Sequence, residues 1–204
     1  MGNSEVGHMN LGAGRVVYQD LVKINMAVEN GDLAKEPVLN AAFDYAKKEH
    51  KKVHFIGLLS DGGVHSHINH LKGLISAANN AGLSKVFVHA FTDGRDTDPK
   101  GGLGYMADLE SHLQEQGGKV ASVIGRYFAM DRDKRWERVR KAYDLLVHGT
   151  GESFPSAQAC LEKNYAAGTT DEFIEPGIID KEGLIEEGDV VLCFNFRTDR
   201  GRQI

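Results

Sequence analysis

The most regular feature of the chain is an alternation between short apolar segments and longer stretches of mixed polarity. Strands that are apolar throughout are typical of a sheet covered on both faces. In the stretches between them, apolar residues recur every three or four positions, as in amphipathic helices. The alternation therefore predicts an α/β fold with a mainly parallel sheet flanked by helices on both faces. The four predicted strands are 53–59, 86–91, 120–124 and 190–194.

The spacing of apolar residues also predicts where helices lie. Asp133 is a plausible cap for the helix that carries Trp136, Val139 and Tyr143. The stretch 149–188 is less regular, and only one helix is expected within it. The predicted helices lie at 15–29 and 37–50, around 68–78 and 106–113, from 136 to 146, and at 157–166.

Composition narrows the class of protein. The 204 residues are 41% hydrophobic and carry a formal net charge of −5, which argues against a nucleic-acid-binding surface. No apolar run approaches the ~18 residues of a membrane span, and the amino terminus lacks a signal pattern. Only two cysteines are present, and Cys193 lies in an apolar run, so we expect no disulfide. These features predict a cytoplasmic protein that binds neither nucleic acid nor membrane.

Polar residues follow each predicted strand, in the segments SDGGVHSH, TDGRDTDPKG, GRYFAMDR and NFRTDR. In open α/β sheets, ligands bind outside the carboxyl ends of the strands. We therefore expect these segments to converge on one crevice. They bring to it Asp61, His65, Asp93, Arg95, Asp96, Arg126, Arg132, Arg197 and Arg200.

Arginine is concentrated in these loops, which hold five of the ten arginines of the chain. A guanidinium binds carboxylate or phosphate through two parallel hydrogen bonds, which the point charge of a lysine cannot do. Five converging cations would repel one another unless an anion belongs there, and a small phosphorylated acid fits. The alternative is that each arginine pairs with an aspartate close in sequence, such as Arg132 with Asp131 or Asp133, or Arg200 with Asp199.

Two residues of the crevice are candidates for proton chemistry. Neighbouring cations would keep Asp96 ionised and able to take a proton from a substrate hydroxyl, although an aspartate in such a turn is also a common loop cap. His65 could donate to a phosphate or share the proton transfer. Its alternative role is to cap the helix that begins near Ser66.

A metal site is a further possibility. Asp61, His65 and His67 have a spacing that resembles metal ligands after a strand, as in metal-dependent hydrolases. Against this interpretation, His67 and His70 lie where the amphipathic helix begins, and no further ligand cluster is close in sequence. A self-contained hydrolase therefore stays the second hypothesis, and a non-catalytic anion-binding module is the third.

Five motifs, in the order GNSEVGH, SDGGVHSH, HAFTDGRDT, GRYFAMDRDKRWER and FNFRTDR, resemble those of the cofactor-independent phosphoglycerate mutases of the alkaline phosphatase superfamily. The resemblance covers essentially the whole chain but less than half of the family's length. It implies a two-domain enzyme that interconverts 2- and 3-phosphoglycerate in glycolysis and gluconeogenesis. It also implies a phosphoserine intermediate and two manganese ions.

Carried onto this chain, the resemblance makes Ser4 the nucleophile and a metal ligand, and Asp96 the general acid and base. Residues 1–17 would be a remnant of the phosphatase domain, and residues 18–204 an incomplete substrate-binding domain. The family's other metal ligands have no counterpart here, so we expect an inactive fragment of a monomeric enzyme, whose partner is the rest of the phosphatase domain. The implied substrate-binding residues are His65, Arg95, Asp96, Arg126, Arg132, Arg197, Thr198, Asp199 and Arg200.

Overall fold

The computed structural model describes the backbone of residues 4–204 and the side chains of residues 7–204. Its centre is a six-stranded sheet in the order β4-β5-β3-β2-β1-β6. The strands β6, β1, β2 and β3 are parallel neighbours, whereas β5 runs antiparallel to β3. The predicted mainly parallel sheet is thus confirmed. Its strands are β1 (Val53–Leu59), β2 (Val86–Thr92), β3 (Lys119–Gly125), β4 (Glu152–Ser153), β5 (Gly177–Ile178) and β6 (Val190–Cys193).

Helices cover both faces of the sheet, as the alternation of segments predicted. On one face, Leu71, Ile75 and Leu109 belong to a core with alternate residues of β1 and β2. On the other face, Phe128 and Leu145 pack with the intervening strand residues. The helices are α1 (Ser4–Ala13), α2 (Asp20–Glu29), α3 (Pro37–Lys48), α4 (Ile68–Asn80), α5 (Gly102–Gln116), α6 (Arg126–Ala129), α7 (Trp136–Tyr143) and α8 (Ala157–Ala166), with a π-helical turn at Asp144–His148.

The strands are apolar because both of their faces are covered. Every residue of β1 and β2 is buried, so neither strand can show the alternation of a half-exposed sheet. The last predicted strand differs: β6 is an edge strand whose residues alternate in burial, and Val191 is 41% exposed. The expectation that this strand is buried on both faces was therefore wrong, because apolar composition does not distinguish a central strand from an edge.

Helix boundaries differ from the predictions at their amino ends. The helix predicted from residue 15 begins at Asp20. Asp133 does not cap α7; instead the carboxylate of Asp131 accepts hydrogen bonds from the backbone N–H groups of Asp133 (2.9 Å) and Arg135 (3.0 Å). Both errors arise because loop geometry, which periodicity does not report, decides where the first helical turn forms.

The connection 149–188 contains more structure than its composition predicted. It supplies α8 at the predicted residues and the two short strands β4 and β5, which extend the sheet beyond β3. A strand of two residues carries no detectable alternation, so the sequence held no signal for it. Across residues 4–204, no helix combines the length and apolar character needed to cross a bilayer.

A row of buried polar side chains crosses three strands on one face of the sheet. The Nδ1 atom of His54 lies 3.1 Å from Nε2 of His89, and Nδ1 of His89 lies 2.7 Å from the hydroxyl of Ser122. The row ends at Asp189, whose carboxylate is 3.1 Å from Nε2 of His54. Burial lowers the pKa of His89 to about 3, and the charges of His54 and Lys52 act in the same direction.

We predict that the free energy of unfolding falls as pH decreases from 6.5 towards 4. Burial lowers the pKa of His65 and of His70 to about 4, as it lowers that of His89 to about 3. In this pH range the unfolded chain binds protons that the folded chain excludes, at about 1.4 kcal/mol per pH unit for each histidine. Urea unfolding at several pH values between 6.5 and 5 measures the slope. The slope should be smaller in His89→Gln. An unchanged slope would contradict the lowered pKa of His89 in the folded chain.

Candidate functional site

The loops that follow four parallel strands lie at one edge of the sheet. Because β1, β2, β3 and β6 are parallel neighbours, their carboxyl ends point the same way. The segments after them carry His65, the stretch 93–96, Arg126 and the stretch 197–200, respectively. The backbone N–H of Arg197 donates to the carbonyl of His65 (3.3 Å), which joins the loops after β6 and β1.

The guanidinium of Arg126 lies at the centre of this edge. Arg126 follows directly on β3 and is only 3% exposed. Its Nη1 donates to the carboxylates of Asp93 and Asp96, each at 2.6 Å. Burial alone would lower the pKa of Arg126, but these two carboxylates raise it above its ordinary value. A permanently charged arginine therefore joins the loop after β2 to the end of β3.

The two residues proposed for proton chemistry lie side by side. An oxygen of Asp96 is 3.7 Å from Nε2 of His65, and the Asp96 side chain keeps 21% of its surface exposed. His65 is buried, and its Nδ1 has no hydrogen-bond partner among residues 7–204. Burial, followed by the charges of Arg126 and Arg197, lowers the pKa of His65 to about 4. His65 is therefore a neutral imidazole at pH 7, able to donate or accept one hydrogen bond.

The structure gives the capping roles considered for Asp96 and His65 to neighbouring residues instead. Asp93 rather than Asp96 caps the loop, because its carboxylate accepts from the backbone N–H groups of Arg95 (3.2 Å) and Asp96 (3.0 Å). The helix after β1 begins at Ile68 and is capped by His67, whose Nδ1 accepts from the N–H of Asn69 at 3.2 Å. Neither Asp96 nor His65 therefore serves as the cap, and the two side chains lie next to each other.

Asp199 holds two more arginines together. Its carboxylate accepts from Arg132 at 3.0 Å and lies 2.9 Å from Nε of Arg197. The alternative that Arg132 pairs with Asp131 or Asp133 is not what the structure shows, because Asp131 Oδ1 instead lies 3.5 Å from Nη1 of Arg138. Thr198 is exposed at the start of the same short turn.

Arg200 is the arginine of the cluster that lacks a carboxylate partner. Among residues 7–204 it forms no ion pair within 4.0 Å, and its only hydrogen bond goes from Nη1 to the carbonyl of Met130 (3.2 Å). Its Nε is buried and has no partner in the same part of the chain. Burial lowers the pKa of Arg200, and so do the charges of Arg132, Arg126 and Arg95.

Sequence reasoning missed Glu172, which pairs with Arg95 at 3.4 Å. The 3-10 turn Asp171–Phe173 packs so tightly on the ends of β2 and β3 that a Cβ at Gly125 would lie 2.3 Å from the carbonyl oxygen of Glu172. A Cβ at Gly94 would lie 2.8 Å from the Cβ atom of Asp171. Gly94, just after β2, and Gly125, the last residue of β3, were the available signals, but nothing in the sequence indicated which segment packs against them.

The residues of the metal hypothesis do not form a ligand set. Asp61 accepts from the hydroxyl of Tyr105 at 2.5 Å, whereas His67 caps α4. Within residues 7–204, no group of three or more His, Cys, Asp or Glu side chains is arranged to hold a metal ion. The side chain of Ser4, the predicted nucleophile and metal ligand, lies outside the described residues.

The fold and this cluster define a class: an α/β domain with a group of arginines at the carboxyl edge of its sheet, the edge at which open α/β sheets bind their ligands. Residues 24–204 match the family model described as the BPG-independent PGAM N-terminus. The chain belongs to this family of amino-terminal domains of 2,3-bisphosphoglycerate-independent phosphoglycerate mutases. The resemblance inferred from the motifs is thereby confirmed.

Full-length relatives agree with this assignment. The whole chain aligns with 2,3-bisphosphoglycerate-independent phosphoglycerate mutases of Flavobacterium johnsoniae, at 60% identity, and of Clostridium novyi, at 55%. It spans 41% of the length of each. Among solved structures, phosphoglycerate mutase of Leishmania mexicana at low cobalt concentration superimposes with a TM-score of 0.85 and 37% identity. That alignment covers all of this chain and 40% of the Leishmania chain.

We predict that Arg126→Met lowers the free energy of unfolding by about 3–5 kcal/mol, because it leaves the buried carboxylate of Asp93 without its cation. Arg132→Met, at a position whose side chain is 48% exposed, should cost only about 0–1 kcal/mol. Urea unfolding at pH 7 measures both. Equal losses in the two variants would show that burial does not distinguish these ion pairs.

Proposed function

We propose that this chain is the substrate-binding part of a longer enzyme that interconverts 2- and 3-phosphoglycerate, in glycolysis and gluconeogenesis. The observation that carries the proposal is the position of Arg200, which donates to the Met130 carbonyl and forms no ion pair within 4.0 Å among residues 7–204. Arg132 and Arg197 share the carboxylate of its neighbour Asp199. A site with one cation left unpaired favours an incoming anion. The whole length of the chain matches mutases, which supports this choice of anion.

A phosphoglycerate fits the charge of the cluster. Its phosphate carries about −1.5 to −2 at pH 7 and its carboxylate about −1, and guanidinium groups bind both in bidentate fashion. Asp199 already holds Arg132 and Arg197 close to each other, because both contact its carboxylate. The proposed substrate-binding residues are those predicted from the motifs, namely His65, Arg95, Asp96, Arg126, Arg132, Arg197, Thr198, Asp199 and Arg200.

Asp96 is proposed as the general acid and base on the glycerate hydroxyl. Its Oδ2 accepts from Arg126 at 2.6 Å, and its side chain is partly exposed to solvent. A carboxylate held in this way can take the proton of a hydroxyl within hydrogen-bond reach and return it later. The neutral ring of His65, 3.7 Å away, supplies a hydrogen bond to the substrate.

Ser4 is proposed as the residue that accepts the phosphoryl group, forming a phosphoserine. The intact enzyme would hold two manganese ions, with ligands outside residues 7–204, since those residues offer no ligand set. An unassisted serine hydroxyl is a weak nucleophile, so residues 1–204 alone should turn over phosphoglycerate negligibly. We expect the intact enzyme to be monomeric and cytoplasmic, with residues 1–17 belonging to the phosphatase domain and residues 18–204 to the substrate domain.

Calorimetric titration of the 204-residue chain tests the proposed site. We predict measurable but weak binding of 3-phosphoglycerate, with affinity lowered by about tenfold or more in Arg200→Ala through the loss of charge-assisted hydrogen bonds. Arg140→Ala is the matched control, because Arg140 pairs with Asp144 on the surface of α7. Identical affinities for 3-phosphoglycerate and glycerate would contradict a phosphate site.

The role of Asp96 is tested in a polypeptide that extends this chain to the length of its relatives. We predict that Asp96→Asn lowers kcat by about 10²–10⁴-fold, as expected on removal of a general acid and base, with a smaller effect on KM. The matched control is Asp98→Asn on the same loop, where residues 7–204 give the Asp98 carboxylate one hydrogen bond, from the backbone N–H of Lys100 (2.8 Å). If 3-phosphoglycerate binds but Asp96→Asn retains full kcat, another group performs the proton transfer. Binding with no mutase activity in the extended protein would favour an anion-binding module.

A further inference from the structure

The carboxylate of Asp93 accepts hydrogen bonds both from its own loop and from the segments that follow β1 and β3. Asp93 follows β2 and is 2% exposed. Its Oδ1 accepts from Nη1 of Arg126 (2.6 Å) and from the N–H groups of Arg95 (3.2 Å) and Asp96 (3.0 Å). Its Oδ2 accepts from the hydroxyl of Ser60 at 2.6 Å. One buried side chain therefore contacts the ends of three neighbouring strands.

The buried cation of Arg126 requires such a partner. A guanidinium cannot lose its proton in a protein, and a buried charge without a counter-charge is strongly destabilising. Two carboxylates reach Arg126, but Asp96 is the one partly exposed to solvent, whereas the Asp93 side chain is almost completely enclosed. Asp93 can therefore neutralise Arg126 whether or not Asp96 is engaged with a ligand.

Asp93 is suited to carry a lasting negative charge. Burial by itself would raise its pKa, but the hydrogen bonds from Ser60 and the backbone of Asp96, together with the charge of Arg126, hold the pKa below its ordinary value. Donors from three directions also fix the orientation of the carboxylate. The charge and the geometry of Asp93 are thus set by the protein rather than by a ligand.

We infer that Asp93 is a positioning residue of the proposed phosphoglycerate site. It holds the guanidinium of Arg126 in place and fixes the backbone on which Arg95 and Asp96 stand. It does not itself contact the substrate. The inference rests on the proposed function for the identity of the anion, but the placement of Arg126 can be tested without any ligand.

Asp93→Asn separates the charge of this side chain from its other contacts. The amide is nearly the same size, and its oxygen can still accept from the N–H groups of Arg95 and Asp96. The Ser60 hydroxyl can turn to accept from the amide nitrogen. What the variant loses is the negative charge opposite Arg126, so Arg126 is left with Asp96 as its only carboxylate among the contacts described.

Asp171 provides a matched control at the same edge of the sheet. It is 1% exposed and accepts from the backbone N–H of Gly102 (2.8 Å) and from the hydroxyl of Tyr165. No arginine among residues 7–204 forms an ion pair with it. Asp171→Asn therefore removes a buried carboxylate of similar enclosure that contacts no guanidinium among residues 7–204.

The first measurement is the NMR spectrum of the Arg126 side chain in the 204-residue chain without ligand. Two short hydrogen bonds hinder rotation of the guanidinium, so separate Nη proton signals are expected at low temperature in the unmodified chain and in Asp171→Asn. Asp93→Asn should merge or broaden these signals. Separate, sharp signals in a folded Asp93→Asn would overturn the inference.

The second measurement compares affinities for 3-phosphoglycerate and inorganic phosphate. A general increase in positive charge would strengthen the binding of both anions alike, whereas loss of positioning penalises the ligand that needs several groups aligned. We expect the ratio of the two affinities to fall by about tenfold in Asp93→Asn, equivalent to about one well-placed charged hydrogen bond, and to stay constant in Asp171→Asn. A constant ratio in Asp93→Asn would overturn the inference. If the unmodified chain binds neither anion, the proposed function fails, and the Arg126 spectrum still decides the placement.

Ser60→Ala serves if Asp93→Asn does not fold. The Ser60 hydroxyl contacts the arginine cluster only through Asp93 among the described residues, and its loss frees Oδ2 while keeping the charge. Faster rotation of the Arg126 guanidinium in folded Ser60→Ala would support the inference. Rotation as slow as in the unmodified chain would overturn it.

Discussion

The buried ion pair network around Arg126 is the interaction on which the carboxyl edge of this sheet depends. Its guanidinium cannot be neutralised by proton loss, so the fold must keep carboxylates beside it. Asp93 and Asp96 meet this need at 2.6 Å each, and they come from the strand next to the one that Arg126 follows. The electrostatic requirement therefore joins β2 to β3 at the place where a ligand would bind, and it limits how far either loop can move alone.

The charges of the other arginines are compensated less completely than that of Arg126. Asp199 lies between Arg132 and Arg197 in a half-exposed position, where water weakens the ion pairs. Arg200 has only a backbone carbonyl as its described partner. Charge is thus tightly compensated at Arg126 and left over at Arg200. A site held in shape by its own carboxylates needs less reordering when an anion binds.

The sequence predicted the layers of this fold better than its edges. Continuous apolar runs identified β1 and β2 because burial on both faces leaves no room for polar alternation. The convergence of the arginine-bearing loops followed from parallel topology alone. In contrast, β4, β5 and the turn Asp171–Phe173 are too short for any period to show, so Glu172 could not be connected with Arg95.

The sequence by itself determined the family, the four longer strands, and the loops that carry five arginines to one edge of the sheet. Only the tertiary structure decided which charges pair. Arg126 pairs with Asp93 and Asp96, which lie 33 and 30 residues away along the chain. Arg132 pairs with Asp199, 67 residues away, rather than with its neighbour Asp131. Ion pairs and hydrogen bonds act over a few ångströms of space. Partners are therefore set by where strands end in the sheet, and separation along the chain does not reveal them.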